Sequence, residues 1–310
     1  MASYLKSILR VPVRRFASTD NATTSNVSRN LLQRSPSAIS KRIVATQFLL
    51  SRWGIESVHR VNADPRVVES HNIVKASIEV SGISSYFTDA EKPFIDAKLG
   101  AWNDDDIHQV GKRWESLGML LWTSLIIPEL PTPYTQFTHE SLFKASSLIP
   151  ALPSTVTDFV EYFTNGAGAG SDHFRADQDL KEAIDVAEAW YWRSQMEQIS
   201  DLKRAIEADE TNQMQITIPA ALRKLVADSD VAIRQASISA YNKLLIKDLI
   251  DHDFGVDGQP YASLEPDRKH QLADIAEARL TTLTWLADNT REWDYKEVKY
   301  FNPLNSIFNV

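Results

Sequence analysis

Three stretches place charged and aromatic side chains where a helix core should be. KRWESLGMLLW (Lys112 to Trp122) sets Arg113 and Glu115 inside the most apolar run of the chain. DVAEAWYWRSQ (Asp185 to Gln195) offers Asp185, Glu188, Trp190, Trp192 and Arg193, and EARLTTLTWL (Glu277 to Leu286) adds Arg279 and Trp285. A guanidinium beside an indole can bind an anion electrostatically while the ring walls the site. The candidate site is therefore Arg113, Glu115, Asp185, Glu188, Trp190, Arg193, Arg279 and Trp285, a pocket for a small anionic ligand. The same residues allow a metal-free acid–base enzyme, with Glu115 or Glu188 working beside Arg113, Arg193 or Arg279. They also allow a third arrangement without chemistry, in which buried Arg–carboxylate pairs and packed tryptophans fix the register of neighbouring helices.

Other chemistries lack their residues. The chain has no cysteine, which excludes disulfides, thiolate metal sites and cysteine nucleophiles. Its seven histidines include no pair spaced three or four apart, so neither a metal nor a cofactor is expected. NGAGAGSDHF (Asn165 to Phe174) follows a helical segment instead of a strand and lacks a Gly-Lys-Ser/Thr, and reads as a surface loop. DHDFGVDGQP (Asp251 to Pro260) starts like a calcium loop but carries Val256 where the tight turn needs glycine and Ala262 where a bidentate Glu belongs. It reads as two turns joining helices.

The elements that position these side chains follow a helical period. Of the 310 residues, 43% are hydrophobic and 24% charged, ordinary for a globular body. Ser35-Pro36 opens a helix that Gly54 should close, and Asp64-Pro65 opens the next. Thr88-Asp89-Ala90-Glu91 fits a capping box, and Asn103 with three aspartates opens a helix expected to reach about Leu125. Within it Gly111 and Gly118 would admit a close neighbour. Further helices are expected over Asp177–Ala208, Pro219–Ala227, Asp230–Asp251 and Glu265–Asn289; Met214 to Ile218 is the one short strand candidate. SLIIPELPTPYTQF and SSLIPALPSTVTDF repeat at an offset of 22 residues. Each reads as a helix stopped by proline, with Ile127, Leu130, Ile149 and Leu152 on extended arms that plug inter-helix gaps. The expected fold is all-α, a single multi-helix globular domain with extended Pro-containing connections over residues 35–310.

The N-terminus has a different character. Residues 1–55 hold nine Lys and Arg against Asp20 alone, so this segment carries +8 and the remainder −16 of the overall −8. MASYLKSILRVPVRRFAS is acid-free, with Leu5, Ile8 and Leu9 on one helical stripe and Lys6 and Arg10 on another. That is the pattern of a mitochondrial transit peptide over residues 1–16. Arg14 and Arg15 lie three and two places before a processing site at Phe16 and Ala17, and residues 17–34 read as a polar linker. The expected destination is the mitochondrial matrix. An acidic body excludes nucleic acid as main partner, and an apolar run of eleven residues is too short for a transmembrane span. Partners are expected to be a protein or a small anionic ligand.

FTDAEKPFI, RWESLGMLLWTSLIIPELPTP, DVAEAWYWR and RLTTLTWL with its downstream Trp-Asp resemble, in that order, blocks of the domain of unknown function 4272 family. The resemblance places Arg113, Glu115, Leu120, Leu121 and Trp122 in its first block. Arg279, Leu283, Trp285, Leu286, Trp293 and Asp294 fall in its last. Ser194-Gln195 and Tyr295-Lys296-Glu297 depart from it. It implies a helical domain without an assigned activity. With no cysteine, paired histidines, phosphate loop or nucleophile motif in the chain, the expected function is that of a non-catalytic binding module.

Overall fold

The computed structural model describes residues 31–62, 64–146, 153–209 and 220–293. Its helices are α1 (Pro36–Val61), α2 (Pro65–Val80), α3 (Lys92–Asp96), α4 (Asp104–Gly111), α5 (Arg113–Thr123), α6 (His139–Ser146), α7 (Pro153–Thr164), α8 (Asp177–Glu207), α9 (Ala220–Asn242) and α10 (Pro266–Ala287). A small antiparallel meander, β1 (Leu249–Ile250), β2 (Asp253–Val256) and β3 (Gln259–Pro260), separates the last two. The domain is mostly helical, as the periodicity predicted.

Local chemistry sets most starts. Ser35 and Asp64 cap α1 and α2 by accepting from the N–H groups of Ala38 and Arg66, each ahead of a first-turn proline. Asn103 and Asp106 complete a reciprocal capping box on α4. Two helix ends use an unexpected residue. Leu125 (φ 54°) and Leu244 (φ 60°) occupy the left-handed position that glycine usually fills. After each, the next N–H reaches back to the carbonyl of Leu121 or Ala240, while the leucine's own N–H bonds that of Trp122 or Tyr241. The first SLIIP helix is thus stopped before its proline, by a Schellman turn on Leu125. Ile127 and Leu130 then lie half-buried against the core. Ile149 and Leu152 fall outside the described residues, as does the Met214–Ile218 strand candidate.

Three expectations need correction. Gly54 does not close α1, which continues to Val61; a right-handed glycine breaks no hydrogen bond, and Trp53 is anchored by its Nε1–H to the Ile107 carbonyl at 2.8 Å. The helix expected from Asn103 to Leu125 is interrupted at Lys112, next to Gly111. The helix expected to reach Asp251 stops at Asn242, and the Asp251–Pro260 stretch forms the meander instead. Its two-residue turns, Asp251-His252 and Asp257-Gly258, all lie at positive φ, which matches the twist of a tight hairpin.

α8 runs through the centre, packed against α9 on one side and α10 on another; α10 also packs on α5, and α1 packs on α2, α4, α5 and α7. Residues 31–34, read above as linker, lie on this body. The Leu31 N–H donates to Asp177 Oδ1, and the Gln33 and Arg34 N–H groups donate to the Leu286 carbonyl. Gly118 admits the ring of Phe137 from an extended segment; a Cβ there would stand 2.2 Å from a ring carbon. Gly118→Ala should therefore destabilise the fold by about 1–3 kcal/mol. Leu244 is 85% exposed, so Leu244→Gly should remove left-handed strain and stabilise by about 1 kcal/mol. Denaturant melts of the two variants check both signs.

Candidate functional site

The buried arginines do not converge on one pocket; they divide into separate clusters. Arg113 sits at the start of α5, where its Nη1 meets Glu91 Oε1 at 3.0 Å. Arg42 of α1 meets Glu91 Oε2 at 2.7 Å, and the Thr88 N–H donates to the same oxygen. Both guanidiniums lie over the Trp293 ring, at 5.0 and 5.6 Å. Burial by itself would lift the Glu91 carboxyl, but Arg42, Arg113 and the Thr88 N–H outweigh it and hold the group below its usual value. Of the capping box read at Thr88–Glu91 only one half forms, the Thr88 N–H on Glu91; the Thr88 hydroxyl caps nothing, and Glu91 belongs instead to this deeper cluster.

Glu115 and Arg279 do meet. Glu115 Oε2 accepts from Arg279 Nε at 2.8 Å, and Oε1 accepts from the Phe137 N–H at 2.9 Å. The remaining Arg279 donors reach the carbonyls of Pro131, Thr132 and Thr135, with the Phe137 ring beneath at 5.1 Å. This one side chain pins the extended Pro-containing connection to α10 and is 5% exposed. Trp285 lies elsewhere, edge-on to Trp293 at 5.1 Å and under Arg34 at 4.4 Å. Trp190 packs against Tyr134 and Phe254.

Arg193 alone among the candidate arginines borders open space. It is 0% exposed, forked onto Asp253 (Nε–Oδ1 2.6 Å, Nη2–Oδ2 2.7 Å), with Nη1 on Glu197 Oε2 at 3.1 Å and the Tyr261 ring at 4.3 Å. Burial disfavours its charge, yet the bonds to Asp253 and the field of Glu197 overcome that and hold it more firmly protonated. Glu197 Oε1 takes Arg204 Nη2 at 2.9 Å and Lys269 Nζ at 2.8 Å, so three cations share one carboxylate. Asp253 also accepts the N–H groups of Phe254 and Ala262. This network forms the floor of a cleft of about 670 Å³ between α8, α9 and the meander.

Apart from Arg193, the cleft is lined by residues that the sequence did not single out for a site. Along α8, Arg193, Glu197, Ser200, Arg204 and Glu207 succeed one another at spacings of four and three, one helical stripe roughly 20 Å long. α9 adds Asp230 and Arg234, and the β1–β2 turn adds Asp251 and His252. Both turn residues are non-glycine at φ 49° and 63°, a conformation that costs about 1–2 kcal/mol per residue. Strain held over a polar cleft is a mark of functional sites. The signal for Glu197 was present, four residues after Arg193 on one helix face. That for Asp253 was not, because its approach depends on the meander.

Asp185 is tied to Lys181 at 2.8 Å on the outer side of α8. Glu188, in the same helix, is buried and makes no hydrogen bond or ion pair among the described residues. Burial first, then the negative charge of Asp185, pushes its carboxyl up to about 7 against a weaker pull from Lys181. It does not line the cleft. Among the described residues no group of three acids or histidines is placed to hold a metal ion, and no helix is long and apolar enough to cross a membrane. The Phe16–Ala17 processing site and Asp294 lie outside the described residues.

The folded chain keeps the Glu188 proton where an unfolded chain would release it. Its burial therefore costs nothing below the ordinary carboxylate range, and the penalty grows as pH rises to about 7, above which it is constant. Glu188→Gln should raise stability by on the order of 2 kcal/mol at pH 8 and change it little at pH 4. Urea melts at the two pH values test the sign. No family model, curated protein or solved structure matches the chain.

Proposed function

We propose that the protein is a non-catalytic binding module whose ligand site is the cleft between α8, α9 and the meander, and that the anionic group of a small molecule binds there. The observation that carries this reading is Arg234. It lines the cleft, is exposed, and makes no ion pair among the described residues. Arg204 borders the same space with 61% of its side chain exposed, so its surface pairs are cheap to exchange. The buried floor beneath them is rigid, with Arg193 held by two carboxylates and an aromatic ring. A cleft of several hundred Å³ suits a small molecule.

The floor acids, Asp253 and Glu197, are already bonded to Arg193, Arg204 and Lys269 and present no unpaired carboxylate to a substrate. Arg113, Glu115 and Arg279 are buried in other clusters and Glu188 lies apart from the cleft, so the arrangement favours binding over the metal-free acid–base alternative. Import into the mitochondrial matrix belongs to the same proposal and rests on the acid-free, Arg-rich residues 1–19. Membership of the domain of unknown function 4272 family rests on the four sequence blocks and adds no activity.

Full-length protein screened by thermal shift against carboxylates and phosphate esters should show a rise of roughly 5 °C at about a hundredfold excess over Kd. Arg234→Ala should abolish the rise and Arg60→Ala, on a distant helix, should keep it. A screen without any shift, or shifts insensitive to Arg234, would sink the cleft reading. For the address, protein recovered from mitochondria should begin at Ala17; recovery with Met1 intact would contradict import with cleavage.

A further inference from the structure

The free charges facing the cleft are of both signs. Glu207 at the end of α8 and Asp251 in the strained turn line it together with Arg234; like Arg234 they make no ion pair among the described residues, although Glu207 lies in the field of Lys203 one turn earlier. Each of the other charged groups in the walls has an opposite neighbour. Asp230 takes Lys203 Nζ at 2.6 Å, and Arg204 lies between Glu197 and Asp201. Down the α8 stripe the sign alternates, from Arg193 to Glu197 and from Arg204 to Glu207.

A purely anionic ligand seated on Arg234 would bring its charge toward two carboxylates without relieving either. In a partly desolvated cleft such like-charge approach costs more than in bulk water. A ligand carrying a cationic group as well would answer charges of both signs at once. Resting on the cleft reading above, we propose that the ligand is a zwitterion. Its carboxylate or phosphate pairs with Arg234, and its ammonium or guanidinium pairs with Asp251, both of which line the cleft. Amino acids, ω-amino acids and short peptides are the chemical class that fits.

The turn gives this class its specificity. Asp251 stands at φ 49° where asparagine or glycine would be at ease. The neighbouring hairpin turn, Asp257-Gly258, places its second left-handed residue on a glycine; the cleft-side turn does not. Keeping Asp251-His252 there holds a carboxylate and an imidazole at the cleft at the expense of backbone strain.

The test uses the full-length chain and a matched panel in which only the end groups change. ω-Amino carboxylates, α,ω-dicarboxylates and α,ω-diamines of three to eight carbons (a span estimated from the volume of a small-ligand site) would be titrated by calorimetry. At one chain length the amino carboxylate should bind at least about tenfold tighter than either symmetrical partner. Asp251→Asn should weaken that compound about tenfold while leaving the dicarboxylate unchanged or improved, and Arg234→Gln should weaken both. Dicarboxylates binding as tightly as amino carboxylates would overturn the zwitterion and leave the anion site standing. Diamines binding best would overturn it from the other side. Binding by no member of the panel, with no shift in the anion screen, would remove the cleft itself.

Discussion

A guanidinium is costly to bury unless its charge is matched and its faces are covered. This chain supplies an acid and an aromatic ring in the same way at site after site, even where, as at Arg52, some N–H groups stay unbonded. Arg193 has Asp253 and Tyr261, Arg279 has Glu115 and Phe137, and Arg42 and Arg113 share Glu91 and Trp293. Arg52 has Glu56 and Trp102, with Glu56 also accepting the Gly100 N–H through both oxygens. In each case the partners come from segments far apart in sequence, or hold such a segment in place. Losing either partner would strand a charge in a dry interior, a penalty of about 3–5 kcal/mol. The clusters therefore act as registers that hold particular segments together.

Arginine also finishes the helices whose ends proline and tight turns leave bare. Arg175 donates to the carbonyls of Trp122, Ile127 and Pro128 and covers the Trp122 ring at 4.9 Å, closing the end of α5. Arg34 bonds the carbonyls of Trp285, Asn289 and Arg291 and covers the Trp285 ring, closing the end of α10. The last carbonyls of a helix carry partial negative charge, so a cation there answers both the missing hydrogen bonds and the dipole. The tryptophan in each last turn supplies the face on which the guanidinium lies. Arg–Trp proximity thus has a structural use at two helix ends before any ligand is considered.

The cleft between α8, α9 and the meander opens this logic to solvent. Its floor is the Arg193–Asp253–Glu197 network, as closed as the others, but its walls continue outward with charges of both signs along α8. In the proposed site, packing and binding would rest on the same residues. The buried floor fixes α8 against the meander, and that fixation places the β1–β2 turn over the stripe.

Helix existence was legible because apolar periodicity and capping residues act within a few residues of each other. The spans of α8 and α10 came close to their final limits for that reason. Gly54 misled because glycine ends a helix only where the backbone turns left-handed, and nothing nearby in sequence forces or forbids that. The Asp251–Pro260 turns were recognisable, but their pairing into a sheet was not, since strands of two to four residues carry too little alternation to register. For the candidate site, sequence alone picked out arginines, acids and tryptophans of unusual burial, because charged residues inside apolar helices stand out whatever their partners. It set Glu115 or Glu188 beside Arg113, Arg193 or Arg279 without choosing among the pairs, and of these the fold brings together Glu115 and Arg279. Which acid each guanidinium meets, and that Arg193 rather than Arg113 or Arg279 borders a cleft, was decided by tertiary structure. A guanidinium reaches whatever carboxylate the packing of distant helices brings within about 3 Å, and no local pattern encodes that distance.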